Sequence, residues 1–108
     1  MDQKAISREL SLFISRVTAD LPIRQIILFG SFAKNNGRYD SDIDLLMVGD
    51  FKINAIKDPT RILYDKYHDL ETKHELHVIG LNMDDYENIN DSITLASIRN
   101  TGKVIFSS

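Results

Sequence analysis

Residues 27–48 read ILFGSFAKNNGRYDSDIDLLMV, two apolar runs separated by a polar turn, and the two runs set the pattern for the rest of the chain. The first run, Arg24–Phe29 (RQIILF), is short, β-branched and closed by Gly30, which predicts a strand buried on both faces. The second, Asp42–Val48 (DIDLLMV), predicts another strand, closed by Gly49-Asp50. Between them, Ser31–Asp40 reads as a helical turn followed by a loop, because Asn35-Asn36-Gly37 is strong turn chemistry. Upstream, Ile6, Leu10, Phe13, Ile14, Val17 and Leu21 form one apolar stripe of a helix over Gln3–Asp20, ended by Pro22. Downstream, a second helix should open near Asp58-Pro59 and bury Ile62, Leu63, Tyr67 and Leu70. A third strand is expected at about His74–Gly80, then a short helix near Met83–Asn88 and a longer one at Asp91–Asn100. Gly102 stops that helix before a last strand, Lys103–Phe106. Strands alternating with helices that cover a near-continuous apolar sheet indicate an α/β or α+β domain of two to three layers.

Composition narrows the function classes. The chain has 108 residues, which fits one domain over 1–108. With no cysteine, disulfides, thiolate zinc sites and thiol nucleophiles are all excluded. Thirteen Lys and Arg against sixteen Asp and Glu give a net charge of −3, so the global charge that drives non-specific nucleic-acid binding is missing. No apolar run approaches the roughly 18 residues of a membrane span, and Met1–Asp20 is charged throughout rather than built like a signal peptide. A small soluble domain, placed in the cytoplasm, is the expectation.

The chemistry concentrates in Gly30-Ser31 and Asp42-Ile43-Asp44, with ten residues between Ser31 and Asp42. Gly30 lets the backbone turn tightly and approach a ligand, since it has no Cβ. Ser31 opens a helical turn whose free N–H groups form a phosphate site, and its hydroxyl adds another donor. Residues i and i+2 of a strand share a face, with Cα atoms about 6.5–7 Å apart. Asp42 and Asp44 therefore hold two carboxylates over one small volume, and a divalent cation neutralises their repulsion. A phosphate cradle beside an Asp-x-Asp strand is a coherent site for a metal nucleoside triphosphate. Lys34 and Arg38 flank the cradle and offer charge to a triphosphate, while Asp40 reads as a turn residue. His68 and His74 lack partners at zinc-ligand spacing. Asp84-Asp85 suits the start of a short helix. Tyr39 and Tyr86 could stack on a base, but packing is the simpler use of each.

At these residues the chain resembles the minimal nucleotidyltransferase (MNT) domains of the DNA polymerase β-like nucleotidyltransferase superfamily. The pattern Gly-Ser, ten residues, Asp-x-Asp matches from Gly30 to Asp44, and the context around both motifs agrees. One departure is visible: many members carry Arg two residues after the Gly, where this chain has Phe32. The resemblance implies a small mixed β-sheet covered by helices. It also implies a reaction in which an acceptor hydroxyl attacks the α-phosphate of a nucleoside triphosphate, ATP or another, and pyrophosphate leaves. Two Mg²⁺ ions serve that reaction in the family. By the same resemblance Gly30 and Ser31, with Lys34, hold the phosphates, and Asp42 and Asp44 ligate the metal. A third carboxylate is expected on the next strand. Glu75, in His74-Glu75-Leu76-His77-Val78, is the preferred candidate, because a carboxylate suits hard Mg²⁺. His77, two residues on and on the same face, is its rival.

Larger members of the superfamily bind template, RNA or antibiotic through added regions, for which a chain of this length has no residues. An acceptor site lent by a partner is therefore the expectation. The resemblance then points to the MNT half of HEPN/MNT toxin–antitoxin pairs, in which the antitoxin neutralises a helical HEPN ribonuclease toxin, in some systems by moving AMP onto a toxin tyrosine. Two alternatives remain open. One is a binding module that neutralises a helical partner by contact alone. The other is a transferase to a small molecule, with the acceptor pocket completed by a second subunit.

Overall fold

The computed structural model describes residues 3–30, 43–67, 75–88, 98 and 100–108. In chain order these form α1 (Gln3–Asp20), β1 (Ile23–Phe29), β2 (Ile43–Gly49), α2 (Pro59–Tyr67), β3 (Leu76–Asn82), α3 (Met83–Glu87) and β4 (Lys103–Ser107). The four strands make one mixed sheet in the order β3-β2-β1-β4. β1 runs antiparallel to β2 and to β4, whereas β2 and β3 are parallel. The sheet and its helices are the α/β arrangement expected from the alternation of elements.

Strand alternation divides the core in two. Ile26 and Leu28 of β1, Ile43, Leu45 and Met47 of β2, and Leu76 and Val78 of β3 face α1 and α2, where Leu10, Phe13, Val17 and Leu63 meet them. On the other face Ile27, Leu46 and Val48 pack with Tyr86 of α3 and with Ile98. The apolar stripe of α1 thus does what its spacing requires, with Leu10 and Val17 wholly buried and Phe13 nearly so. Tyr86 is a packing residue, consistent with its simpler reading. Asp84 and Asp85 occupy the first turn of α3, and Asp85 also meets Lys52 at 3.2 Å.

Several details correct the sequence expectations. β1 is not buried on both faces along its whole length: Arg24 is exposed, and Gln25 and Phe29 are half-buried. β3 begins at Leu76 and continues to Asn82, so Glu75 stands just outside it rather than within it. The last strand extends to Ser107. Ile62 and Tyr67 are only half-buried, and among the described residues of the expected α2 core set Leu63 alone is fully buried. Ile98, Asn100 and Thr101 are helical, and Gly102 N–H bonds to Ile98 O at 2.7 Å, in keeping with the expected stop. The rest of the expected 91–100 helix, together with Leu70, lies outside the described residues.

The position of α2 has a specific cause. β3 is an edge strand, and its outward N–H groups at Leu76, Val78 and Gly80 would otherwise lack partners. Thr60, Tyr64 and Tyr67, spaced along one side of α2, supply three hydroxyls. Gly80 N–H donates to Thr60 Oγ1 at 2.9 Å, Val78 N–H to Tyr64 Oη at 3.0 Å, and Leu76 N–H to Tyr67 Oη at 3.4 Å. Gly80 admits this approach, because a Cβ there would meet Thr60 N at 2.8 Å. Asp58 caps the helix, accepting from Arg61 N–H at 3.2 Å, with Pro59 in the first turn. Tyr64→Phe, which leaves the Val78 donor without its partner, is expected to cost about 1–2 kcal/mol in urea unfolding. A loss below about 0.5 kcal/mol would show that water takes over the role of the hydroxyl.

Candidate active site

β1 ends and β2 and β3 begin at the same end of the sheet, so the close of the first apolar run and the start of the second meet there. Gly30 terminates β1 with φ +75°, a left-handed conformation that suits glycine. The register pairs Phe29 with Asp44, which sets the Asp44 carboxylate against the Gly30 α-carbon. A Cβ on residue 30 would overlap Asp44 Oδ2. The glycine therefore has two reasons to be there, its backbone angle and the space the carboxylate takes. The sequence placed the Gly30 turn beside the Asp-x-Asp strand, and the structure sets Gly30 against Asp44 of that strand.

Asp44 is flanked on its other side by β3, where the parallel register pairs it with His77. In-register residues of neighbouring strands share a face, and His77 Nδ1 lies 3.5 Å from Asp44 Oδ1. The Asp44 side chain is 26% exposed and that of His77 52%, so both open to solvent at the rim of the sheet. Directly behind Asp44 on the same face come Leu46 and Val48, which are fully buried. The carboxylate thus stands where the apolar floor ends. There an interaction with a cation or phosphate is less screened than in bulk water.

Glu75 takes a different position from the one expected. It precedes the first register pair, Ile43 with Leu76, and its carbonyl accepts the Ile43 N–H at 2.9 Å. Its side chain is exposed. The residue that the strand register brings to Asp44 is His77. No sequence signal could have chosen between the two, because the choice depends on how β2 and β3 pair. Ser31, Phe32, Lys34, Arg38, Tyr39, Asp40, Asp42, His68 and His74 lie outside the described residues. Among the described residues no group of three or more His, Cys, Asp or Glu side chains gathers at one point. Those that do converge on the Gly30 end are Asp44 and His77.

This pair fits a divalent cation. Two neighbouring ligands of an octahedral ion stand about 3 Å apart, given metal–ligand bonds of roughly 2.0–2.2 Å at right angles. The observed 3.5 Å is within a small side-chain adjustment of that separation. The bare Gly30 α-carbon gives the Asp44 carboxylate its place, since a Cβ on residue 30 would overlap Oδ2.

Comparison with known proteins agrees with the geometry. The family model "Polymerase beta, Nucleotidyltransferase" matches residues 14–108. A candidate protein adenylyltransferase of Methanocaldococcus jannaschii is 36% identical over 66 residues, which cover 61% of this chain. The matched segment spans 64% of that protein's length. The crystal structure of a candidate nucleotidyltransferase from Sulfolobus solfataricus shares the fold. It superposes with a TM-score of 0.61 at 15% identity, covering 99% of this chain and 90% of that one. From β1 through β4 the chain is covered by one family description, and it belongs to the polymerase β nucleotidyltransferases.

Proposed function

We propose that the chain is a Mg²⁺-dependent nucleotidyltransferase that moves AMP from ATP to a hydroxyl of a partner protein, and that it acts as the MNT antitoxin of a helical HEPN ribonuclease toxin. The observation that carries this reading is the meeting of the Gly30 turn with the Asp44 carboxylate at one end of the sheet. The name borne by the M. jannaschii protein supports a protein acceptor.

In this reading the Gly30 backbone and the Ser31 hydroxyl bind the β- and γ-phosphates, with Lys34 offering charge to them. Asp42 and Asp44 hold the cation, with a further ligand from the start of β3. Bound Mg²⁺ would supply Lewis-acid charge to the triphosphate and lower the pKa of the attacking hydroxyl. The acceptor oxygen forms a bond to the α-phosphorus while the bond to the β-phosphate bridging oxygen breaks, and pyrophosphate departs. The acceptor proton passes to a carboxylate or to water. The role of the chain is to fix the α-phosphorus beside the acceptor and to exclude competing water.

The test is to incubate the chain with Mg²⁺, α-labelled ATP and the protein encoded next to it. Label is expected on the partner, and the partner's ribonuclease activity is expected to fall in step with labelling. The double variant Asp42→Asn/Asp44→Asn should abolish both. A second reading, neutralisation by contact alone, is favoured by Phe32 at a position where many relatives carry Arg. It prevails if no label reaches the partner and the double variant still neutralises. Label found only on a small molecule, with the partner unmodified, would instead assign the partner a pocket-completing role.

A further inference from the structure

We infer that His77 is a ligand of the cation held at Asp44, so that this site binds Mn²⁺ more tightly than Mg²⁺. The inference rests on the nucleotidyltransferase reading and makes its metal site specific.

Three observations carry it. First, the parallel register pairs His77 with Asp44 and puts both side chains on one face of the sheet. Second, Nδ1 of His77 lies 3.5 Å from Oδ1 of Asp44, close to the separation of two neighbouring ligands of one ion. Third, Glu75, the carboxylate expected to complete the site, precedes the first register pair, Ile43 with Leu76, and so is not the residue that stands opposite Asp44. A donor set that pairs a carboxylate with an imidazole differs chemically from three carboxylates. Mg²⁺ is small and hard and holds oxygen ligands and its own water. An imidazole nitrogen instead suits first-row transition ions, of which Mn²⁺ is the weakest binder of the series. A preference for Mn²⁺ over Mg²⁺ is thus the least that a bound His77 should produce.

Pulsed electron paramagnetic resonance of Mn²⁺ reads the ligand directly, without turnover. The full chain is loaded with MnCl₂ and α,β-methylene-ATP, and the ¹⁴N modulation of the bound ion is recorded. The wild type is expected to show the coupling of a directly bound imidazole nitrogen. His77→Ala should lose it while still binding Mn²⁺, and nitrogen signals from the adenine persist in both samples and cancel in the comparison. In competition titrations the preference for Mn²⁺ over Mg²⁺ is expected to fall about tenfold in His77→Asp. That variant restores an all-oxygen ligand set, so it should bind Mg²⁺ at least as well as the wild type.

An imidazole coupling that is absent from the wild type, or unchanged in His77→Ala, overturns the inference. So does a loss of Mn²⁺ affinity in Glu75→Gln that His77→Ala does not show. These outcomes leave the broader reading intact as long as Asp44→Asn weakens Mn²⁺ binding. If Asp44→Asn binds Mn²⁺ as the wild type does, or no specific Mn²⁺ binding is seen with the nucleotide present, both the inference and the metal-site reading fall.

Discussion

Asp44→Asn is expected to lower nucleotidyl transfer by about 10³-fold or more, equivalent to about 4 kcal/mol of transition-state stabilisation, while the protein stays folded. The substitution keeps the shape of the side chain and removes its charge. That charge is what a cation and a triphosphate need at the rim of the sheet, where Leu46 and Val48 already exclude water from one side. The fold depends on the charge far less. The neighbour of Asp44 on β3 is His77, whose side chain is half-exposed, and a pair left partly in solvent in this way contributes about 0–1 kcal/mol. Tm should therefore move by no more than about 5 °C for a domain of this size. Two measurements check the prediction. One is the rate of label transfer at saturating ATP. The other is the rise in Tm on adding Mg²⁺ and nucleotide, expected in the wild type and missing in the variant. A variant that keeps transfer within tenfold of the wild type would remove Asp44 from the site.

How much of this was legible in the chain itself differs from element to element, for physical reasons. The helix over Gln3–Asp20 was legible because Leu10, Phe13 and Val17 recur at helical spacing and meet a core that needs such a stripe. β1 and β2 were legible because each is a short apolar run with a glycine at its end. The face that α2 presents was not. Tyr67 read as one of its buried residues, yet Tyr67 and Tyr64 each spend a hydroxyl on the edge of β3, a need that arises only once β3 is known to be an edge strand. Ile62 was displaced from the core for the same reason, since the helix turns its hydroxyl side to the strand.

At the site, a glycine turn beside an Asp-x-Asp strand could be read from the motif, whereas the contact of Gly30 with Asp44 follows from the antiparallel pairing of β1 with β2. The third group could not. Period-two alternation put Glu75 and His77 on one face, but which of them stands beside Asp44 depends on the relative slide of β2 and β3. That slide is fixed by main-chain pairing and by the fit of Leu76 and Val78 into the core. A shift of two residues along β3 would exchange an imidazole for a carboxylate with no change in the hydrophobic pattern. The ligand chemistry of the site is thus set by a packing decision made on the opposite face of the sheet.

Gly30→Ala is expected to impair both folding and transfer, and the two losses have separable causes. Residue 30 has φ +75°, where an L side chain costs about 1–2 kcal/mol. The added Cβ also overlaps the Asp44 carboxylate, so one of them must move. Together these should destabilise the protein by about 2–3 kcal/mol, a fall in Tm on the order of 10 °C. Displacing the carboxylate by even about 1 Å is expected to cost about 10²-fold in transfer. A double-mutant cycle with Asp44→Ala distinguishes the two effects. With the carboxylate removed, Gly30→Ala should cost only the backbone strain of about 1–2 kcal/mol, leaving a coupling of roughly 1 kcal/mol between the two positions. Additive losses would mean that the glycine serves the turn alone. The space beside Asp44 would then be incidental, and the close approach of residue 30 to the carboxylate would have no part in holding the substrate.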